Sequence, residues 1–357
     1  MIEHSTRAVV VWAFTDGKAG HENQTRGLLA ALARSHPVDA RWIHVPAYAS
    51  ILSSLMTRRF LPGGGKTAPA FVPGGTASRS ALLPSMDGVM PREGRSPKRP
   101  PSMAVAGLPP PDLLIGAGHR THLPLLAARR AHGGRTVVLM KPSLPRAWFD
   151  LCVIPEHDDV QGHTSAAGVE SNNVFTTRGA LNPVEPGRKN ERAGLILIGG
   201  PSRHHGWSEN DILSQIETVI AGVGDIDWTL TTSRRTPSST TTRLRALTYK
   251  NLTVVPVAET GPGWLSQRLA TAAQAWVTED SVSMVYEALT ANAATGVLNV
   301  PLKRASRIAR GIARLTRDGL VTSFADWQRG QKLSAPAAPF NEAARVAAWI
   351  GEKWLSA

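Results

Sequence analysis

The sequence is poor in residues that crosslink or anchor a chain. It holds a single cysteine, Cys152, in 357 residues, which excludes an internal disulfide framework and a cysteine-based zinc site. Cys152 lies in the apolar run Leu151-Cys152-Val153-Ile154 and reads as a core residue. No apolar run approaches the ~20 residues of a membrane-spanning helix. The short apolar stretch Ala8–Phe14 ends in Thr15-Asp16-Gly17, not in the small-residue cleavage site of a secretory signal. We therefore expect a cytoplasmic protein, at most peripheral on the inner face of the cytoplasmic membrane. Acidic residues are also scarce, 27 against 40 Lys and Arg, for a formal charge of +13. Such an excess favours an anionic partner: a phosphorylated substrate, an acidic membrane surface or nucleic acid. The aromatics do not interleave with the basic residues, which argues against nucleic acid.

The length points to two domains. Short apolar, β-branched runs alternate with helical patterns, the signature of parallel βαβ units. Strands are expected at Ala8–Phe14, Leu113–Ile115, Thr136–Met140 and Leu151–Ile154, with a helix over Gln24–Arg34. After the polar stretch Glu185–Arg192, further strands are expected at Leu195–Ile198, Trp228–Thr231, Leu252–Pro256 and Ala275–Thr278. The expectation is an α/β protein with two Rossmann-like lobes, 1–186 and 187–335, each a parallel sheet with helices on both faces. A terminal helix in 336–357 would pack back on the lobes. Between Leu61 and Pro111, 11 of 51 residues are proline and 8 glycine. Such a composition buries too little apolar surface to offset its ordering entropy, so 61–108 is expected to be a disordered insertion. Its Gly63-Gly64-Gly65-Lys66-Thr67 lacks the first glycine and the preceding strand of a P-loop.

Ligands of open α/β sheets bind beyond the C-terminal ends of the strands, and four strand-to-helix turns there carry chemistry. The first runs Asp16-Gly17-Lys18-Ala19-Gly20-His21. Glycines permit close approach, the following helix start favours an anion, and an imidazole suits general-base work. The second, Gly116-Ala117-Gly118-His119-Arg120-Thr121-His122, adds a cation and two histidines. It has no nearby carboxylate to complete a zinc site. The third, Gly199-Gly200-Pro201-Ser202-Arg203-His204, is joined by Ser233-Arg234-Arg235, whose guanidinium groups suit a pyrophosphate. The fourth runs from Thr278 through Glu279, Asp280, Ser281 and Ser283 to Glu287. Asp280 or Ser281 can cap a helix whose free amides face phosphate. Ser283 and Glu287, four residues apart, share a helix face, and the carboxylate can accept both hydroxyls of a ribose. Further on, Lys303, Arg307, Arg310, Arg314 and Arg317 form a basic helical stripe suited to phosphates or an anionic membrane surface.

These turns, together with Leu139-Met140-Lys141-Pro142-Ser143, Ile154-Pro155-Glu156-His157-Asp158 and Thr177-Arg178-Gly179-Ala180-Leu181-Asn182, resemble the mitochondrial-fission ELM family. Its bacterial branch is described as glycosyltransferases of surface polysaccharide, including lipopolysaccharide, and its plant branch is known for organelle fission. The pattern is more distantly similar to GT-B enzymes that glycosylate lipid-linked peptidoglycan precursors. There a glycine-rich turn ends in histidine, a Gly-Asn-Pro segment closes the first lobe, and a serine-rich turn precedes a ribose-binding glutamate. This chain departs from that pattern in Lys18-Ala19 and in two extra residues between Gly179 and Asn182.

The resemblance implies a metal-independent, inverting glycosyltransferase with no cofactor and a nucleotide-sugar as donor substrate. His21 would be the catalytic base. Asp16, Lys18, Gly20, His119 and Arg120 would bind the acceptor, a lipid-linked sugar or polysaccharide. Gly199, Gly200, Ser202, Ser233, Arg234, Asp280, Ser281, Ser283 and Glu287 would hold the donor. Two rivals stand beside it: a nucleotide-sugar 2-epimerase of the same fold, and a non-catalytic membrane scaffold.

Overall fold

The computed structural model describes residues 7–45, 107–158, 173–303 and 307–356. The insertion expected over 61–108 lies outside them up to residue 106. Two all-parallel sheets of six strands each organise the chain. The first comprises β1 (Val9–Thr15), β2 (Val38–His44), β3 (Leu113–Ala117), β4 (Arg135–Leu139), β5 (Leu151–Pro155) and β6 (Val174–Thr177). Its spatial order is β2-β1-β3-β4-β5-β6. The second comprises β7 (Asn190–Leu197), β8 (Asp227–Thr231), β9 (Leu252–Val254), β10 (Ala272–Thr278), β11 (Ala294–Leu298) and β12 (Thr322–Ser323), in the order β12-β11-β10-β7-β8-β9. These are the two Rossmann-like lobes expected from the sequence.

Each sheet is buried on both faces, as parallel sheets require. Val9, Val11 and Ala13 of β1 enter one core, with Leu28 and Leu32 of helix α1 (Ala19–Ala33). Val10, Trp12 and Phe14 enter another, with Leu125 of helix α2 (His119–His132). Cys152 is fully buried there. In the second lobe, Ile196 and Trp228 meet Ile212 and Ile216 of helix α3 (Glu209–Gly222). Leu197 and Val277 face Val285 and Leu289 of helix α4 (Val282–Thr290).

Several boundaries differ from the sequence reading. Helix α1 begins at Ala19 rather than Gln24, because Gly17 bends the chain at φ 77° directly after Asp16. Strand β7 begins at Asn190, inside the stretch read as a polar linker, and its first residues are exposed. Strands β2, β6, β11 and β12 had no clear signature. β2 is an edge strand with few buried side chains, and Gly296 interrupts β11 where the Trp276 ring leaves no room for a Cβ.

The chain passes between lobes twice, and the two passages lie side by side. On the first, the backbone of Asn182 lies 2.5 Å from where a Cβ on Gly27 of α1 would stand. The Asn182 amide donates to Thr290 Oγ1 of α4 at 3.0 Å, and Gly179 lies against the Tyr286 ring. On the second, Phe340 stacks on Tyr286 at 6.0 Å. The buried Glu342 accepts the Arg178 N–H at 3.0 Å, and the Arg178 guanidinium covers Phe340. Helix α5 (Glu342–Ile350) then packs on α1, placing Val346, Ala347 and Ile350 in the first lobe's core.

Gly27→Ala should therefore cost about 1–3 kcal/mol of stability, since the obstacle is backbone that cannot rotate away. Gly20→Ala, with nothing within 4 Å of its Cβ, should be neutral or slightly stabilising. Thermal melts of the two variants check this pair.

Candidate functional site

Both sheets reverse strand order at one point, between β1 and β3 in the first lobe and between β7 and β10 in the second. Those are the places where an open α/β sheet leaves a crevice. The four turns singled out in the sequence follow these four strands, apart from the Ser233–Arg235 segment, which follows β8.

In the first lobe the Asp16 side chain is shielded from solvent at the end of β1. Its Oδ1 lies 3.0 Å from His21 Nδ1 and accepts the Lys18 N–H at 3.2 Å. Burial alone would push this carboxyl upward. The hydrogen bond and charge of His21, with the amide and ammonium of Lys18, outweigh burial and hold it below the ordinary value. An ionised Asp16 only accepts, so the Nδ1 of His21 that faces it carries a proton. Gly118, at φ 88°, leaves the space that the His21 ring occupies; a Cβ there would collide with it.

Gly20 and His21 belong to the first turn of α1, not to the turn before it. His119 and Arg120 likewise open α2, with Gly118 as its N-cap. His119 is exposed and Arg120 half-buried. His122 is buried beside Ser143 Oγ at 3.1 Å. Burial, then the charges of His119 and His21, lower it to about 4, so it stays neutral. Among the described residues no group of three or more His, Cys, Asp or Glu could hold a metal ion.

In the second lobe Asp280 is the buried organiser. Its Oδ2 accepts the Gly200 N–H at 3.0 Å and meets Arg235 Nη2 at 2.7 Å. Arg235 also donates to Ser281 Oγ at 2.9 Å and to the Gly200 carbonyl at 2.7 Å. Gly199 N donates to Thr278 Oγ1 at 2.7 Å, and the Asp280 carboxylate fills the space a Cβ at Gly199 would need. The guanidinium bonded to this turn is thus that of Arg235; both it and Arg234, the arginine expected from the sequence, are exposed residues. Adjacent arginines in a loop have no periodicity that tells them apart.

Ser281 occupies the N-cap of α4 but makes no side-chain bond to its first amides. Those amides carry no side-chain cap, and Ser283 is exposed beside them. Ser202 and Ser233 shape their own loops instead: Ser202 Oγ accepts the amides of His204 and His205, and Ser233 Oγ accepts that of Arg235.

Glu287 lies farther along α4, half-buried between the lobes. Its Oε1 accepts the Asn23 amide of α1 at 2.7 Å. Burial pushes its carboxyl up to about 7, against the opposing pull of that hydrogen bond. Arg235 had been read only as one of a pair of pyrophosphate-binding arginines, and Asn23 not as a site residue at all. Asn23 meets a partner 264 positions away, and no local pattern encodes such a pairing.

The family described as Mitochondrial fission ELM1 matches residues 19–354. This chain belongs to that family. No curated protein matches the ELM1-family sequence at a significant level. Solved structures resemble it in fold. A candidate UDP-N-acetylglucosamine 2-epimerase from Listeria monocytogenes is 9% identical, with TM-score 0.53 over 98% of each chain. Another UDP-N-acetylglucosamine 2-epimerase is 11% identical, with TM-score 0.51 over 98% of this chain and 97% of that one. MurG from Acinetobacter baumannii is 12% identical, with TM-score 0.47 over 96% and 99%. At these identities the likeness is one of architecture.

The raised Glu287 carboxyl has a consequence for stability. Its folded value exceeds the ordinary 4.5, so the folded chain holds an extra proton between those two pH values. The stabilisation from that proton is complete below the ordinary value and is lost as pH rises through about 7. Glu287→Gln keeps the acceptor for Asn23 and removes the charge. It should be more stable than the parent at pH 8 by roughly 2 kcal/mol, with the difference vanishing toward pH 4.5, as measured by denaturant titration at both pH values.

Proposed function

We propose that this ELM1-family chain is a metal-independent glycosyltransferase that binds a nucleotide-sugar in its second lobe and an acceptor hydroxyl in its first. One observation carries the reading: His21, paired with Asp16 of the turn before its helix, and the Glu287 carboxyl stand on helices α1 and α4, which meet across the crevice through Asn23. The named solved structures include proteins that act on UDP-N-acetylglucosamine, and their fold supports a nucleotide-sugar as the ligand class.

In this proposal the ribose hydroxyls donate to Glu287. The diphosphate lies against the Gly199–Gly200 turn, Arg235, and the free amides beginning α4. His21 Nε2 accepts the acceptor's hydroxyl proton while Asp16 stabilises the resulting imidazolium. The freed oxygen attacks the anomeric carbon, the bond to the diphosphate breaks, and configuration inverts. Charge developing on the leaving oxygen is met by Arg235 and the amides, the task a cation performs elsewhere. Lys18, Gly20, His119 and Arg120 would line the acceptor side. That acceptor would be a lipid-linked sugar or surface polysaccharide at the cytoplasmic face of the membrane, approached through the basic helix Arg307–Arg317. No described helix is long and apolar enough to cross a membrane.

The second reading, a nucleotide-sugar 2-epimerase, is favoured by the TM-scores above 0.5 with proteins of that description. Incubation with UDP-N-acetylglucosamine and no acceptor separates the two, because only an epimerase yields a new sugar isomer. A scaffold would answer no nucleotide at all.

We expect a thermal-shift panel of UDP, GDP and CMP compounds to raise the melting temperature with one base. Calorimetry should then show Glu287→Ala weakening that nucleotide about a hundredfold, the effect of removing a charged acceptor from a buried site. No shift with any nucleotide would defeat the enzyme reading, and unchanged affinity in Glu287→Ala would defeat this donor site.

A further inference from the structure

The proposed donor carboxyl is not held by its own lobe. The hydrogen bond described for Glu287 comes from Asn23, on the helix that carries His21 two residues earlier. We propose that Asn23 is a positioning residue, tying occupation of the second lobe's ligand site to the placement of the helix bearing His21. This rests on the reading of Glu287 as the nucleotide-sugar ligand.

A carboxylate offers about four acceptor sites. The Asn23 amide takes one on Oε1, which fixes the side-chain rotamer and leaves Oε2 open. Two ligand hydroxyls can then be accepted without displacing Asn23. An amide is suited to the task because it donates without bringing a charge. Its donation favours the ionised form of a group that burial drives toward protonation. Loss of this partner would move the carboxyl further toward its protonated form, which offers one acceptor fewer.

The neighbouring contacts make α1 a poor place for a free-standing side chain. Glu22 accepts the Thr15 hydroxyl at 2.7 Å, and Thr25 donates to the His21 carbonyl. Gly27 lies against the backbone of the first passage between lobes. The helix is therefore held at Thr15, at Glu287 and at Asn182 as well as by its packing on α5, and these contacts join the Asp16 bond in setting where His21 stands.

A double-mutant cycle tests the idea by calorimetry on the full chain, titrated with UDP, or with GDP or CMP where the thermal-shift panel selects one of them. Asn23→Ala should weaken binding about tenfold, as expected for one hydrogen bond to a charged group. In the Glu287→Ala background the same substitution should have no further effect, because its partner is gone. Asn23→Asp should weaken binding more than Asn23→Ala. Adding Glu287→Gln should recover part of that loss, since the new amide donates to the new carboxylate. A residue that merely latches the lobes would be displaced by ligand, so tighter binding in Asn23→Ala overturns the inference. Unchanged affinity, or an equal loss in both backgrounds, overturns it as well. Unchanged affinity in Glu287→Ala alone sinks the donor-site reading instead, so the two failures are distinct.

Discussion

The site depends on how tightly the first interlobe passage is held between two helices. Gly27 allows α1 to approach the Asn182 backbone, and the Asn182 amide is bound by Thr290 of α4. A passage with room on either side would let the helices drift by more than a hydrogen bond tolerates. Asn23 and Glu287 could then not meet at 2.7 Å. Glycine at position 27 is thus a matter of reach, since its value lies in the atoms it lacks.

The lobes solve a similar problem twice. In each, a buried aspartate follows a strand at the reversal point and receives a backbone N–H: Asp16 from Lys18, Asp280 from Gly200. Each pairs with a basic side chain, His21 in one lobe and Arg235 in the other. Each needs a glycine on the neighbouring strand's turn, Gly118 or Gly199, whose Cβ would strike the assembly. The partner decides the chemistry. Imidazole can gain and lose a proton near neutrality, whereas guanidinium keeps its charge.

The sequence made the architecture legible wherever strands were central and apolar, and it located the turns because strand ends and glycines mark them. It was weaker where the answer depends on distance in space. β2 is missed because an edge strand need not be apolar, and the helix start at Ala19 because Gly20 reads as part of a turn. Arg235 could not be chosen over Arg234 without the direction of the backbone. Asn23 could not be chosen at all, since its partner lies in the other lobe. Asp16 was marked for the acceptor, and the sequence did not show its contacts to His21 and Lys18.

The paired passages carry a mechanical meaning. A single tether would let two bodies swivel freely. Two adjacent tethers, joined by the Glu342–Arg178 bond and the Phe340–Tyr286 stack, act like the two knuckles of a door hinge. They permit bending about the line through both and oppose twist. Tyr286 touches both passages, at Gly179 and Phe340, and Glu287 follows it in sequence, so the carboxyl proposed to hold the donor lies near that line. A bend about that line would move residues beside the passages least and the distant rims of the crevice most.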